Sequence, residues 1–289
     1  MVYKGFMNKA QKLSAALLAS FSISVFAQVS TVYFNGDILT MEGDAPKYVE
    51  AIVVKDKKIA FTGSMKEALA QAGVNPTIQD LKGHTLLPGF IDTWGHFALV
   101  AQDTLGVNLA YFSKNPPQNK AQLIAKLKAE AKVFNGWVVG TGYADALLSD
   151  GPLSLADLDK AFPNQAVLIE NISTLTGMVN TSGLKKLGIT KATKAVSGFI
   201  PVDPKTGELT GELIGMPYLE AVAKAVGKYS QDLTFETYRK AEKIYISNGF
   251  TTAQSYEAGI NDMHNMRLAV DRKIVSVDLI ALPTFDVVD

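Results

Sequence analysis

The sequence predicts an α/β protein in which a small β-rich lobe precedes a longer stretch of alternating strands and helices. Three observations point there. The text from about Val29 to Leu87 alternates apolar and polar letters between turn signals, which is strand patterning. After Gly89 the order becomes strand, long helix, strand, helix, strand, the order that builds a parallel sheet with helices packed on it. The chain has 289 residues, 47% hydrophobic and 19% charged, enough to bury a real core.

The elements follow in order. "MNKAQKLSAALLASFSISVFAQ" sets Lys9 and Lys12 before an apolar run from Leu13 to Phe26 and ends on a small residue, Ala27, ahead of Gln28. This is the form of a secretory signal peptide, residues 1–27, cleaved between Ala27 and Gln28. The run is too short for a membrane-spanning helix. The expected location is therefore the periplasm or the medium, with no membrane attachment once the signal is removed. "STVYFNGDILTM" breaks at Asn35-Gly36, a hairpin signal. "YVEAIVVKDKKIAFTG" gives two strands around a lysine-rich tip at Asp56. "SMKEALAQAG" reads as a helix opened by Ser64 and closed by Gly73.

Beyond Gly89, Asn119 to Phe134 has helical periodicity through Leu123, Leu127 and Ala131. "GWVVGTGY" and "QAVLIEN" read as buried strands. Ser154, with Asp157 three residues on, opens a helix through a capping box. "PVDPKTGELTGEL" suggests a hairpin. Helices are expected over about 216–226 and 234–248, then a strand, a helix and a last strand.

Charge and cysteine usage exclude several classes. Lysine plus arginine equals aspartate plus glutamate at 28 each; without the first 27 residues, which hold three lysines and no acid, 25 basic face 28 acidic residues. No concentrated basic face for nucleic acid emerges. The absence of cysteine removes disulfides, thiolate nucleophiles and thiolate-ligated zinc. No serine-hydrolase elbow and no phosphate loop is present.

Together, "YFNGDILTM", "AIVVKDKKIAFTG" and "LKGHTLLPGFIDTWGH" resemble the amidohydrolase superfamily, in the branch called amidohydrolase family 3. "GWVVGTGY", "LSLADLDKAFPNQAVLIEN", "GMVNTSGLKKLGI", "DPKTGELTGEL" and "NGFTTAQSY" follow in that branch's order. The resemblance implies a metal-bearing (β/α)8 TIM-type barrel with a β-sandwich lobe, and hydrolysis of amide or other C–N bonds by metal-activated water. It divides the chain into a sandwich lobe at 28–88 and the first part of a barrel at 89–289, with an α/β insertion over about 97–248. Barrel strands are expected at Leu87–Thr93, Phe250–Tyr256 and Ile274–Leu282. The family's later ligands and the returning half of the lobe would lie beyond Asp289.

In a strand, residues i and i+2 face one side, so a His-x-His pair at the end of the first barrel strand aims two imidazoles at one metal. Here Trp94 holds the first position, and an indole offers no lone pair to a cation. His96 keeps the second and is the candidate ligand for a divalent metal, zinc or similar. Asp92, Trp94 and Tyr143 are candidates for a substrate pocket. Leu175 stands where the branch commonly has a histidine. The expected function is an amidohydrolase-like hydrolase of non-peptide C–N bonds, impaired or incomplete in this chain, acting on a small amide-like molecule. An exported non-catalytic ligand-binding relative, or a truncated pseudoenzyme, stays open beside it, as does a homo-oligomer.

Overall fold

A computed structural model describes residues 30–227 and 229–284. The stretch expected to be a signal peptide, with Ala27 and Gln28, lies outside the described residues. These form two compact units that divide between Pro88 and Gly89.

In the first unit, β1 (Ser30–Leu39), β2 (Tyr48–Lys55) and β3 (Lys58–Gly63) form an antiparallel set. Asp56 and Lys57 turn the β2–β3 hairpin at φ of 50° and 62°, the primed geometry that matches strand twist. Helix α1 (Met65–Ala72) opens on Ser64, whose hydroxyl accepts the Glu67 N–H. Strands β4 (Thr77–Asp80) and β5 (Thr85–Leu86) then pair in parallel with successive parts of β1. Ala68 and Ala72 of α1 pack on Val32, Ala51 and Val53. The described residues of this unit make one sheet covered by a helix.

The expected hairpin at Asn35-Gly36 is also corrected. Both residues sit within β1, where the register to β2 shifts between Phe34 and Ile38. The Asn35 backbone is left-handed at φ 58°. A Cβ on Gly36 would stand 2.3 Å from the His84 carbonyl oxygen. The turn signal serves a bulge, at the point where β1 exchanges β4 for β5 as its neighbour.

The second unit contains two sheets. Its chain runs β6 (Phe90–Ile91), α2 (Phe97–Asp103), β7 (Val107–Asn108), α3 (Lys120–Glu130), β8 (Trp137–Tyr143), α4 (Leu155–Ala161), β9 (Ala166–Asn171), β10 (Thr176–Val179), α5 (Thr181–Leu187), β11 (Glu212–Ile214), α6 (Met216–Val226), α7 (Gln231–Ser247), β12 (Phe250–Ala258), α8 (Ile260–Asp271) and β13 (Asp278–Pro283). The sheet of order β11-β10-β9-β8-β7 is parallel over β7, β8 and β9 and antiparallel beyond. Leu123, Leu127 and Leu158 of α3 and α4 pack with Val138, Val167 and Ile169. Leu184, Tyr218 and Ala221 of α5 and α6 pack with Val139 and Leu168. The alternation of each strand therefore feeds two separate cores.

The other sheet, of order β13-β12-β6, is parallel throughout. These are the three strands expected of the barrel. Phe97 and Ala101 of α2, Phe235, Tyr238 and Tyr245 of α7 and Met266 of α8 cluster against Ala253. Helices α2 and α7 fall within the stretch read as an insertion, yet their apolar faces belong to this core.

Candidate active site

The site begins where β6 stops. Phe90 and Ile91 pair with Phe250 and Thr252, and the Asp92 N–H donates to the Thr252 carbonyl at 3.0 Å. There the ladder ends. Asp92 Oδ1 accepts the Trp94 N–H at 3.2 Å, and Oδ2 accepts the Tyr245 hydroxyl at 3.0 Å. An aspartate that hydrogen-bonds the backbone two residues on offers the chain a turn in place of a strand. The expected continuation to Thr93, with Trp94 and His96 as strand neighbours on one face, is corrected: the strand has two residues, and Asp92 turns the chain out of it. Gly95 allows this, since a Cβ there would stand 1.7 Å from Asp92 Oδ2.

The chain then returns to β12. The Tyr256 N–H donates to the Gly95 carbonyl at 2.8 Å, and His96 bridges Ser255 in the antiparallel sense. Ser255, 2% exposed, accepts the Ala98 N–H at 3.2 Å through its hydroxyl and ties the start of α2 to the strand. The Trp94 indole stacks on the Tyr256 ring, centroids 4.5 Å apart at 24°. The His96 ring meets Tyr256 edge-on at 5.9 Å. Trp94 remains 69% exposed. Both side chains singled out at the strand end therefore converge on Tyr256, a partner that sequence reading missed. Burial and the neighbouring Asp92 carboxylate push the Tyr245 hydroxyl pKa up, so this phenol stays protonated and keeps donating.

These residues do not fit a metal. Among the described residues, no three His, Asp or Glu side chains form a group that could hold one. Both Asp92 oxygens are engaged, and an ion site needs several converging donors.

Tyr143 lies elsewhere. It closes β8, is 6% exposed, and its oxygen accepts the Leu153 N–H at 2.8 Å. It lines a cleft of about 540 Å³ on the five-stranded sheet, and Asp92, Trp94 and His96 are not part of that lining. The candidate pocket residues thus fall in two places. Leu175 is 66% exposed after β9. His84 and His264 are exposed.

A buried polar cluster also escaped sequence reading. Glu170 of β9, 4% exposed, accepts the Tyr218 hydroxyl at 2.5 Å. Burial raises the Glu170 pKa against the lowering effect of that bond. Burial and then the charge of Glu170 raise Asp103, at the end of α2, to about 7. The signal available was a lone acid inside the apolar run "AVLIEN". Gln254, 7% exposed on β12, has an Nε2 without a partner among the described residues.

Comparison with known proteins decides the family. The amidohydrolase family model matches residues 77–283. The chain belongs to the amidohydrolase family. YtcJ of Bacillus subtilis (strain 168) is 29% identical over 231 residues, which cover 78% of this chain and 42% of YtcJ. The exoenzymes regulatory protein AepA of Pectobacterium carotovorum subsp. carotovorum is 30% identical over 180 residues, 60% of this chain and 37% of AepA. The N-substituted formamide deformylase of Arthrobacter pascens is 25% identical over 180 residues, 60% of this chain and 31% of that enzyme. The chain spans less than half the length of each of these relatives. Among solved structures, a metal-dependent hydrolase from Pyrococcus furiosus superposes with a TM-score of 0.62 at 17% identity, over 88% of this chain and 50% of that one. This amidohydrolase-family chain therefore shares a mixed α/β fold with metal-dependent hydrolases.

Proposed function

We propose that this amidohydrolase-family protein takes part in hydrolysis of a carbon–nitrogen bond in a small, non-peptide amide, after export to the periplasm or the medium. The family match over residues 77–283 carries this reading. The site supports it at the level of binding. Trp94 and Tyr256 present a stacked aromatic wall where β6 ends, and the carboxyl ends of parallel strands are where α/β folds bind ligands. An aromatic face suits an apolar amide substituent. Asp92 holds the turn that carries Trp94, and Tyr245 holds Asp92. The similarity to a formamide deformylase makes an N-substituted formamide the first probe. Its hydrolysis takes up water, breaks the carbonyl–nitrogen bond and releases an amine and formate. A divalent metal, as the family's chemistry implies, would need donors beyond those described.

A second reading is a binding protein that uses the same wall without catalysis. The lack of a three-donor group among the described residues favours it. The two readings separate when the purified protein, supplied with Zn²⁺, Mn²⁺ or Fe²⁺, is incubated with N-benzylformamide. Release of benzylamine supports the hydrolase. Binding of N-benzylformamide without release under any of the three ions overturns the hydrolase and leaves the binder.

A further inference from the structure

The cleft on the five-stranded sheet has its own chemistry. It lies at the carboxyl ends of β8 and β9, marked by Tyr143 and Asn171, the last residues of those two parallel strands. Its volume of about 540 Å³ is in the range that holds a small organic molecule. Leu153, Ile169 and Met178 give it an apolar floor. Its charged lining is of one sign: Asp145, Asp203, Glu208 and Glu212, without a lysine, arginine or histidine.

Two groups in this lining keep hydrogen-bonding capacity that the described residues do not fill, the Glu212 carboxylate and the Tyr143 hydroxyl hydrogen. Glu212 is half-buried on β11, and no hydrogen bond or ion pair engages its carboxylate among the described residues. Tyr143 is more than nine-tenths buried, and its oxygen accepts the Leu153 N–H. That bond leaves the hydroxyl hydrogen without an acceptor among the described residues, although a buried tyrosine ordinarily donates. Asp203 is held ionised by the backbone N–H groups of Thr206 and Lys205, which keep its pKa low. Glu208 is set apart because Lys191 neutralises it.

We propose that this cleft is a binding site, separate from the Trp94–Tyr256 wall, for a small amine that carries an apolar body and a hydroxyl or carbonyl oxygen. The ammonium group sits beside Glu212 with Asp203 and Asp145 around it, the apolar body covers Leu153, Ile169 and Met178, and the oxygen accepts the Tyr143 hydroxyl. Charge-assisted hydrogen bonds give the site its preference for cations.

Phenylalaninol is a suitable probe: it holds the three features and no amide bond. Calorimetric titration is expected to show binding that salt weakens. N-acetylphenylalaninol, which is neutral, should bind about tenfold more weakly, the scale of one charge-assisted hydrogen bond. Glu212→Gln, nearly isosteric, should lose about the same factor for phenylalaninol and nothing for the acetylated form. Tyr143→Phe should weaken both, with its unfolding midpoint measured in parallel, and Trp94→Ala should leave both unchanged. Absence of binding at millimolar probe, equal binding of the two compounds, or indifference to Glu212→Gln overturns the proposal. So does loss of binding in Trp94→Ala, which would place the probe at the aromatic wall. None of these outcomes depends on whether the protein hydrolyses amides.

Discussion

At the scale of single residues, Asp92 has the largest consequence. Its carboxylate ends β6, carries Trp94 onto Tyr256 and receives the Tyr245 hydroxyl. Gly95→Ala would drive a methyl group into Asp92 Oδ2. The expected cost is about 1–3 kcal/mol, the range of an overpacked site, read as a lower urea midpoint. Asp103 gives a second expectation. Its pKa is about 7 in the folded chain against an ordinary 3.8, through burial and then the charge of Glu170. The folded state holds a proton that the unfolded state has already released, so this group's stabilisation is complete below about pH 4 and is lost as pH rises to about 7. Asp103→Asn removes that slope. The variant should lose less stability than the parent between pH 5 and pH 8 in urea titrations; identical pH profiles would exclude the cluster as the cause. The perturbation of Asp103 could not be weighed from sequence, because its burial and the charge of Glu170 come from distant segments.

At the scale of elements, local signals were legible and distant ones were not. The openings at Ser64 and Ser154 could be read directly, because a cap is made within three residues. Each of these side chains accepts the expected backbone N–H, and Ser154 with Asp157 completes a capping box. Ser154→Ala should cost about 1 kcal/mol of stability, measured as a shift in thermal or urea midpoint, while Ser154→Asp should recover most of it. Asn35-Gly36 misled because a left-handed backbone serves a hairpin and a bulge equally well. The choice between them was made by Leu81 and Gly83, whose N–H groups donate to Phe34 and Asn35 from more than forty residues away. β6 was read too long for a related reason: "GFIDTW" has strand-like letters, and only the turn made by the Asp92 carboxylate shortens it.

At the scale of the whole chain, the order of strands and helices after Gly89 carried the fold class, and the parallel pairing of β6, β12 and β13 agrees with it. The candidate site was legible to the extent of Asp92, Trp94 and His96. The partner that gathers the two rings, Tyr256, lies 160 residues further along the chain than His96, where no short motif reaches. The proposed reaction class rests on family membership, and the proposed resting place of an amide substituent is the aromatic wall of Trp94 and Tyr256. The most direct test is detection of benzylamine after incubation of the purified protein with N-benzylformamide and each of Zn²⁺, Mn²⁺ and Fe²⁺. Equimolar benzylamine and formate, formed over repeated turnovers with at least one ion, is the expected result. No amine above the protein-free blank with any ion, from protein that still binds N-benzylformamide, would contradict the hydrolase.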